Sequence, residues 1–190
     1  MNRKSLLLFF LTLVLILIFI LAQDESDADV QIYKSNIMGT SYSVTIHSKV
    51  DSQNTFFQVS NILNEINQDM STYIDNSLIS RVNQSEIGQW TKVSKDFIEV
   101  LNYAIEICNQ SKGIYDVSIG KLVNLWGFGP DNVNSKPSKD DINYLTSQVG
   151  CDSVQTNVDS QSVRKVRDVD LDFSSIAKGF AIDKVYEFLV

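Results

Sequence analysis

The sequence predicts an α+β fold, a largely antiparallel sheet with flanking helices. Three observations carry this reading: a period-two alternation at residues 41–47 that marks a hairpin arm, two amphipathic helical stripes after it, and a second alternation at 168–173 leading into a further helix. The chain has 190 residues, 44% hydrophobic and 21% charged, which excludes collagen-like, low-complexity and disordered classes. With 16 Lys+Arg against 23 Asp+Glu the net charge is −7, so a nucleic-acid-coating surface, which needs clustered cations, is not expected. His47 is the single histidine, which excludes a His-rich metal site or a His–His relay within this chain, and two cysteines do not make a disulfide framework.

The N-terminus opens with Asn2-Arg3-Lys4, a short cationic head, followed by an apolar run at 6–22 broken only by Thr12, then by the acidic Gln23-Asp24-Glu25-Ser26-Asp27. This order is that of an export signal or a membrane anchor with its basic end inside. As a helix the run would be about 25 Å long, near the lower limit for a span, and it has no polar face to suit a surface helix. No Cys follows it, the first being Cys108, so a lipoprotein anchor is not expected. The predicted organisation is a signal or anchor at 1–22, an acidic linker at 23–29 and one domain at 30–190. The domain is then extracytoplasmic, either exported or anchored on the outer side of the inner or cytoplasmic membrane.

Residues 30–49 read as a hairpin. Tyr42, Val44 and Ile46 alternate with polar neighbours, and Gly39 marks the turn. Asp51 or Ser52 caps a helix with Phe56, Val59, Ile62 or Leu63, Ile66 and Met70 on one side. Residues 71–88 are loop or short helix. Ser94 caps the next helix, whose stripe of Phe97, Val100, Leu101, Ala104, Ile105 and Cys108 ends at Gly113. That stripe favours Cys108 as a packed thiol; a Cys108–Cys151 disulfide in an oxidising compartment is the alternative. After a polar loop at 131–140, Ser138 caps a short helix through Ile142 and Leu145 that ends by Gly150. Val169, Leu171 and Phe173 alternate with Asp168, Asp170 and Asp172, predicting a strand with one acidic face, and Ser174-Ser175 would cap a last helix. The chain stops at Val190 within that helix and without a cap, which predicts a domain incomplete at its C-terminus.

Two segments carry candidate chemistry. Tyr115-Asp116-Val117-Ser118-Ile119-Gly120, running into Leu122-Val123-Asn124-Leu125-Trp126-Gly127-Phe128-Gly129-Pro130, mixes glycines with aromatics and has no clean period. It suits close backbone approach to a ligand and flat apolar contact, or equally a loop covering the core. At Asp170 to Asp183 a carboxylate is delivered to a helix start, with Lys178 and Gly179 in the first turn. Such a corner suits a phosphate, or is simply a capped helix with a solvated Lys. Met38-Gly39-Thr40 at the hairpin turn and Met70-Ser71-Thr72-Tyr73 after the first long helix complete the set.

Taken together and in this order, the four clusters resemble the ApbE-type FAD:protein FMN transferases, over roughly residues 30–190. The resemblance implies a T-fold-like architecture and an extracytoplasmic Mg²⁺ enzyme that cleaves FAD, attaches FMN to a Thr or Ser hydroxyl of a target protein and releases AMP. The acceptor would be a protein such as a subunit of a membrane redox complex. The resemblance also implies roles. Met38 and Tyr73 would line the FAD pocket, and Ile114, Tyr115 and Asp116 would touch FAD. Asp172 would bind the cofactor, Ser175 would lie beside the metal, and Lys178 would meet FAD near its phosphates. The family's further metal-binding Asp and Thr residues and its catalytic His would fall beyond Val190, so this chain alone is expected to be inactive and to bind FAD weakly or not at all. The alternatives are hydrolysis of FAD to FMN and AMP, and a membrane-tethered flavin-binding module without turnover.

Overall fold

Eight residues on each arm pair in the predicted hairpin: β1 (Val30–Ile37) and β2 (Thr40–His47) run antiparallel from Val30↔His47 to Ile37↔Thr40. The computed structural model describes residues 3–22, 30–47, 52–131 and 136–190. The acidic linker at 23–29, the Asp51 cap candidate and the middle of the 131–140 loop lie outside them. At the turn both Met38 (φ 50°) and Gly39 (φ 68°) are left-handed, which matches the twist of the two strands. The glycine was the visible signal; the methionine holds the same geometry at a steric cost.

α1 (Arg3–Ala22) is continuous and leaves Phe9, Phe10, Leu13 and Leu17 exposed. Among the described residues no helix is long and apolar enough to cross a membrane. α2 (Ser52–Met70) buries Val59, Leu63, Ile66 and Met70, so Leu63 rather than Ile62 takes the core position. Its Phe56 stacks on Tyr33 of β1 at 5.1 Å. α3 (Leu78–Gln84) starts at Ser77, whose buried hydroxyl accepts from the Ser80 amide. α4 (Lys95–Gln110) starts at Ser94 as expected, buries the predicted stripe apart from the half-buried Ile105, and stops where Gly113 (φ 80°) donates back to the Cys108 carbonyl. α5 (Gly120–Leu125) lies in the glycine-aromatic segment, and α6 (Lys139–Gln148) is capped by Ser138.

The sequence pattern does not resolve a three-stranded antiparallel sheet, ordered β3 (Thr91–Lys92), β5 (Ser162–Lys165), β4 (Val154–Asn157). These strands have two to four residues, too few for an alternation to register. Both sheets are antiparallel, in agreement with the predicted fold class.

Three local expectations are corrected. Residues 168–173 are extended but form no regular strand; a single parallel bridge joins Ile119 to Asp170. The alternation is genuine, since Val169, Leu171 and Phe173 are buried, and the acidic side is engaged by neighbours. Asp168 pairs with Lys121, Asp170 lies 3.8 Å from the Lys165 ammonium, and Asp172 is only 8% exposed. Second, α7 (Ala177–Leu189) begins after Ile176 with no side-chain cap, because Ser174 and Ser175 form a turn in which the Ser174 amide donates to Asp172 Oδ1 at 2.7 Å. Third, Cys108 is buried as its stripe required but is disulfide-bonded to Cys151, tying the end of α4 to the turn after α6.

The core gathers α2, α3 and α4 around Phe97, Leu101, Val163, Leu171 and Phe173, with the Phe97 and Phe173 rings 5.0 Å apart. Ala177 and Ala181 seat α7 on it, and Lys184 bridges to Asp96 and Glu99 of α4. Within this frame Lys165 is a buried cation whose Nζ donates to the Asn83 carbonyl. Burial pulls its pKa down, with Asp170 opposing, while burial pushes the Asp170 carboxyl up, with Lys165 opposing.

Two outcomes follow for stability. The disulfide links positions separated by 43 residues. Replacing both cysteines with serine should lower unfolding free energy by about 2–4 kcal/mol, read by urea denaturation; an unchanged midpoint would contradict the bond. Lys165→Met should cost about 1–3 kcal/mol at pH 7, because the half-buried Asp170 loses its Lys165 partner. The folded pKa of Asp170 then rises further above its unfolded value. The cost is therefore present above that folded pKa and shrinks as pH falls through it toward 4. Denaturation at both pH values reads this, and a loss independent of pH would contradict the pairing.

Candidate active site

Four separate pieces of chain meet at one open cleft of about 590 Å³. The left-handed turn supplies Met38 and Gly39. The end of α2 and the turn beyond it supply Met70, Ser71, Thr72 and Tyr73. The glycine-aromatic segment supplies Phe128, and the start of α7 supplies Ser174, Ala177 and Lys178. Each piece ends or turns here for a local reason. The hairpin reverses at its two positive-φ residues. α2 gives way to a turn whose Ser71 carbonyl accepts from Ser77 Oγ at 2.7 Å. α7 starts only after the Asp172–Ser174 turn.

The chemistry of the lining is unusual for this chain. Among the described residues no carboxylate lines the cleft, and Lys178 is its one charged group, although the chain carries a net charge of −7. The amino end of the 13-residue α7 adds its positive dipole end. Tyr73 and Phe128 are 65% and 77% exposed, a large apolar area to leave in water, and the Tyr73 hydroxyl donates to the Phe128 carbonyl at 3.0 Å, locking the two loops together. An anionic ligand with a flat ring system finds both of its requirements in this lining.

A second, polar cleft adjoins the first at Thr72, which lines both. Asn83, Asn124, Asp170 and Asp172 lie on it. Gly120 is needed here: a Cβ would stand 2.7 Å from the Asp170 carbonyl oxygen, to which the Gly120 amide donates at 2.8 Å. A third cleft, of about 400 Å³, contains Ser175, Gly179 and Asp183 on the other flank of α7's start.

The expected site residues therefore divide. Met38, Tyr73 and Lys178 share the main cleft. Asp172 lines the polar cleft beside it, and its Oδ1 holds the turn that starts α7. Ser175 faces the third cleft, where its hydroxyl is 3.1 Å from the Tyr115 hydroxyl. Ile114 is 92% exposed. Asp116 is spent on its own loop, its Oδ1 accepting from the amide and the hydroxyl of Ser118, whose oxygen in turn accepts from the Gly150 amide. Phe128 and Asn67 also line the main cleft, beyond the expected site residues. The glycine-aromatic motif was the signal for Phe128; Asn67, within an ordinary amphipathic helix, had none.

The donor set does not fit a complete Mg²⁺ shell. Ser175 offers one hydroxyl oxygen, already engaged with Tyr115, and among the described residues no group of three His, Cys, Asp or Glu side chains could hold a metal.

The ApbE family matches residues 38–190. The FAD:protein FMN transferase of Haemophilus influenzae is 35% identical over 178 residues, covering 89% of this chain and 51% of the relative. That of Vibrio cholerae is 30% identical over 176 residues, covering 90% and 52%. Among solved structures, the flavin transferase ApbE from Vibrio cholerae superposes with a TM-score of 0.77 at 29% identity, over 85% of this chain and 54% of that one. The apo form of the Pseudomonas stutzeri flavinyl transferase ApbE gives 0.79 at 26% identity, over 87% and 56%. The chain spans about half the length of the curated relatives it matches. With the family matched over most of its residues, and with the same fold in solved members, the chain belongs to the ApbE family.

Proposed function

We propose that this chain forms the FAD-binding part of a flavin transferase that moves FMN from FAD to a Thr or Ser hydroxyl of an acceptor protein and releases AMP. The observation that carries the reading is the acid-free cleft in which Met38, Tyr73 and Phe128 stand together with Lys178 and the start of α7. The isoalloxazine ring or the adenine would lie against the exposed aromatics. The pyrophosphate would face Lys178 and the amino end of α7, where charge developing on the transferred phosphoryl group meets a fixed positive field. Asp172, on the polar cleft beside it, would orient the cofactor through its carboxylate. The family resemblance implies Mg²⁺, which when bound would stabilise phosphate charge. Extracytoplasmic placement is part of the proposal. It is supported by the basic head and apolar run at 1–22 and by the Cys108–Cys151 disulfide, which persists in oxidising compartments.

The test gives FAD, Mg²⁺ and a candidate acceptor to the full-length protein and weighs the acceptor. A gain of one FMN is expected; release of FMN and AMP with an unmodified acceptor would point instead to hydrolysis, and FAD binding without turnover to a binding module. Asp172→Ala in the same protein should abolish transfer while circular dichroism shows an intact fold. If the carboxylate served only the Ser174 amide, the loss would be about 0.5–2 kcal/mol of stability with transfer retained. A reporter active only outside the cytoplasm, fused after residue 30, should be active; a cytoplasmic, soluble fusion would refute the placement.

A further inference from the structure

Among the described residues, the segment that carries Asp172 pairs with no strand on one of its sides. In an extended chain, successive residues aim their N–H and C=O groups to opposite sides. Toward one side, the Asp170 carbonyl accepts from Gly120 and the Asp172 amide donates to the Val117 carbonyl, each at 2.8 Å. Toward the other, the Leu171 amide donates to Asn83 Oδ1 at 2.7 Å and the Leu171 carbonyl accepts from Asn83 Nδ2 at 2.9 Å. One carboxamide thus performs the work of a neighbouring strand, satisfying both backbone groups of a fully buried residue. Asn83 is itself held: it sits in the last turn of α3, and its backbone carbonyl accepts from the buried Lys165 ammonium, which also faces Asp170.

We propose that Asn83 is a positioning residue for the ligand site, fixing the 170–172 segment so that the Asp172 carboxylate and the turn that starts α7 are held in register with the cleft. The assignment rests on the functional reading above. Only asparagine meets the geometry. An aspartate in its place would lack the donor and set a carboxylate oxygen against the Leu171 carbonyl, a serine would offer one group instead of two, and a glutamine would be one methylene too long. With the clamp gone, Asp172 keeps its bonds to Val117 and Ser174 but loses the fixed plane of its neighbour. The consequence is misplacement at the ligand and not loss of the fold.

The test titrates FAD into the full-length wild-type, Asn83→Ala and Asn83→Asp proteins and records both Kd and binding stoichiometry. Asn83→Asp keeps the acceptor for the Leu171 amide and the side-chain shape, so it remains informative should Asn83→Ala fail to fold. The expected result is a Kd raised about ten- to hundredfold in both folded variants at unchanged stoichiometry, with faster amide exchange at Leu171. A merely structural role would lower stoichiometry through the unfolded fraction and leave Kd where it was; that result overturns the assignment. Absence of FAD binding by the wild-type protein would overturn the functional reading itself, and the assignment with it.

Discussion

The two-sided hydrogen bonding of residues 170–172 is the constraint on which the remainder of the molecule depends. It pins the glycine-aromatic segment through Gly120 and Val117, and it pins α3 through Asn83. The same short stretch places Leu171 and Phe173 in the core and sets the position of the turn from which α7 departs. A buried backbone with unpaired polar groups would be costly, so each partner is held as firmly as a sheet neighbour would be. The ion pair between Lys165 and Asp170 lies in this cluster, where burial works against both charges and each sustains the other.

From that anchor the cleft follows as a meeting of chain ends. A hairpin turn, the end of α2, a loop aromatic and the start of α7 are brought together by the core beneath them, and none supplies an acid. The negative groups of this acidic chain are placed elsewhere: on the polar cleft at Asp170 and Asp172, and around Lys184 at Asp96 and Glu99. Segregation of this kind leaves the cleft with a cationic, aromatic-rich lining in a chain whose net charge is −7.

Much of this was legible in the sequence, for physical reasons that differ from element to element. The Tyr42-Val44-Ile46 alternation and the stripes of α2 and α4 are long enough for their period to show, and Ser94 and Ser138 cap where a hydroxyl before an apolar stripe should. The short strands β3, β4 and β5 are set by pairing with one another, which no local pattern encodes. At 168–173 the alternation correctly marks the buried face and the acidic one, while the partners Lys121 and Lys165 lie outside the pattern and are brought in by the tertiary fold. Ser174-Ser175 resembles a cap, yet Asp172 takes the Ser174 amide first. Cys108 was legible as buried and not as bonded, because the stripe reports packing and favours a thiol, while the partner Cys151 lies 43 residues away in sequence. For the site, the motif order brings Met38, Tyr73 and Lys178 to one cleft, whereas Ser175 and Asp116 face other partners. Asn83 carries no sequence signal, being a polar residue in a seven-residue helix.

Amide hydrogen exchange with and without FAD bears most directly on the central claim, that the acid-free cleft is where the flavin nucleotide binds. Protection on addition of FAD should fall on residues 37–40, 71–74 and 174–178 together, with Leu171 already slow in both states. Protection confined to the acidic surface at Asp96 and Glu99, or no protection in a protein that binds FAD, would contradict it.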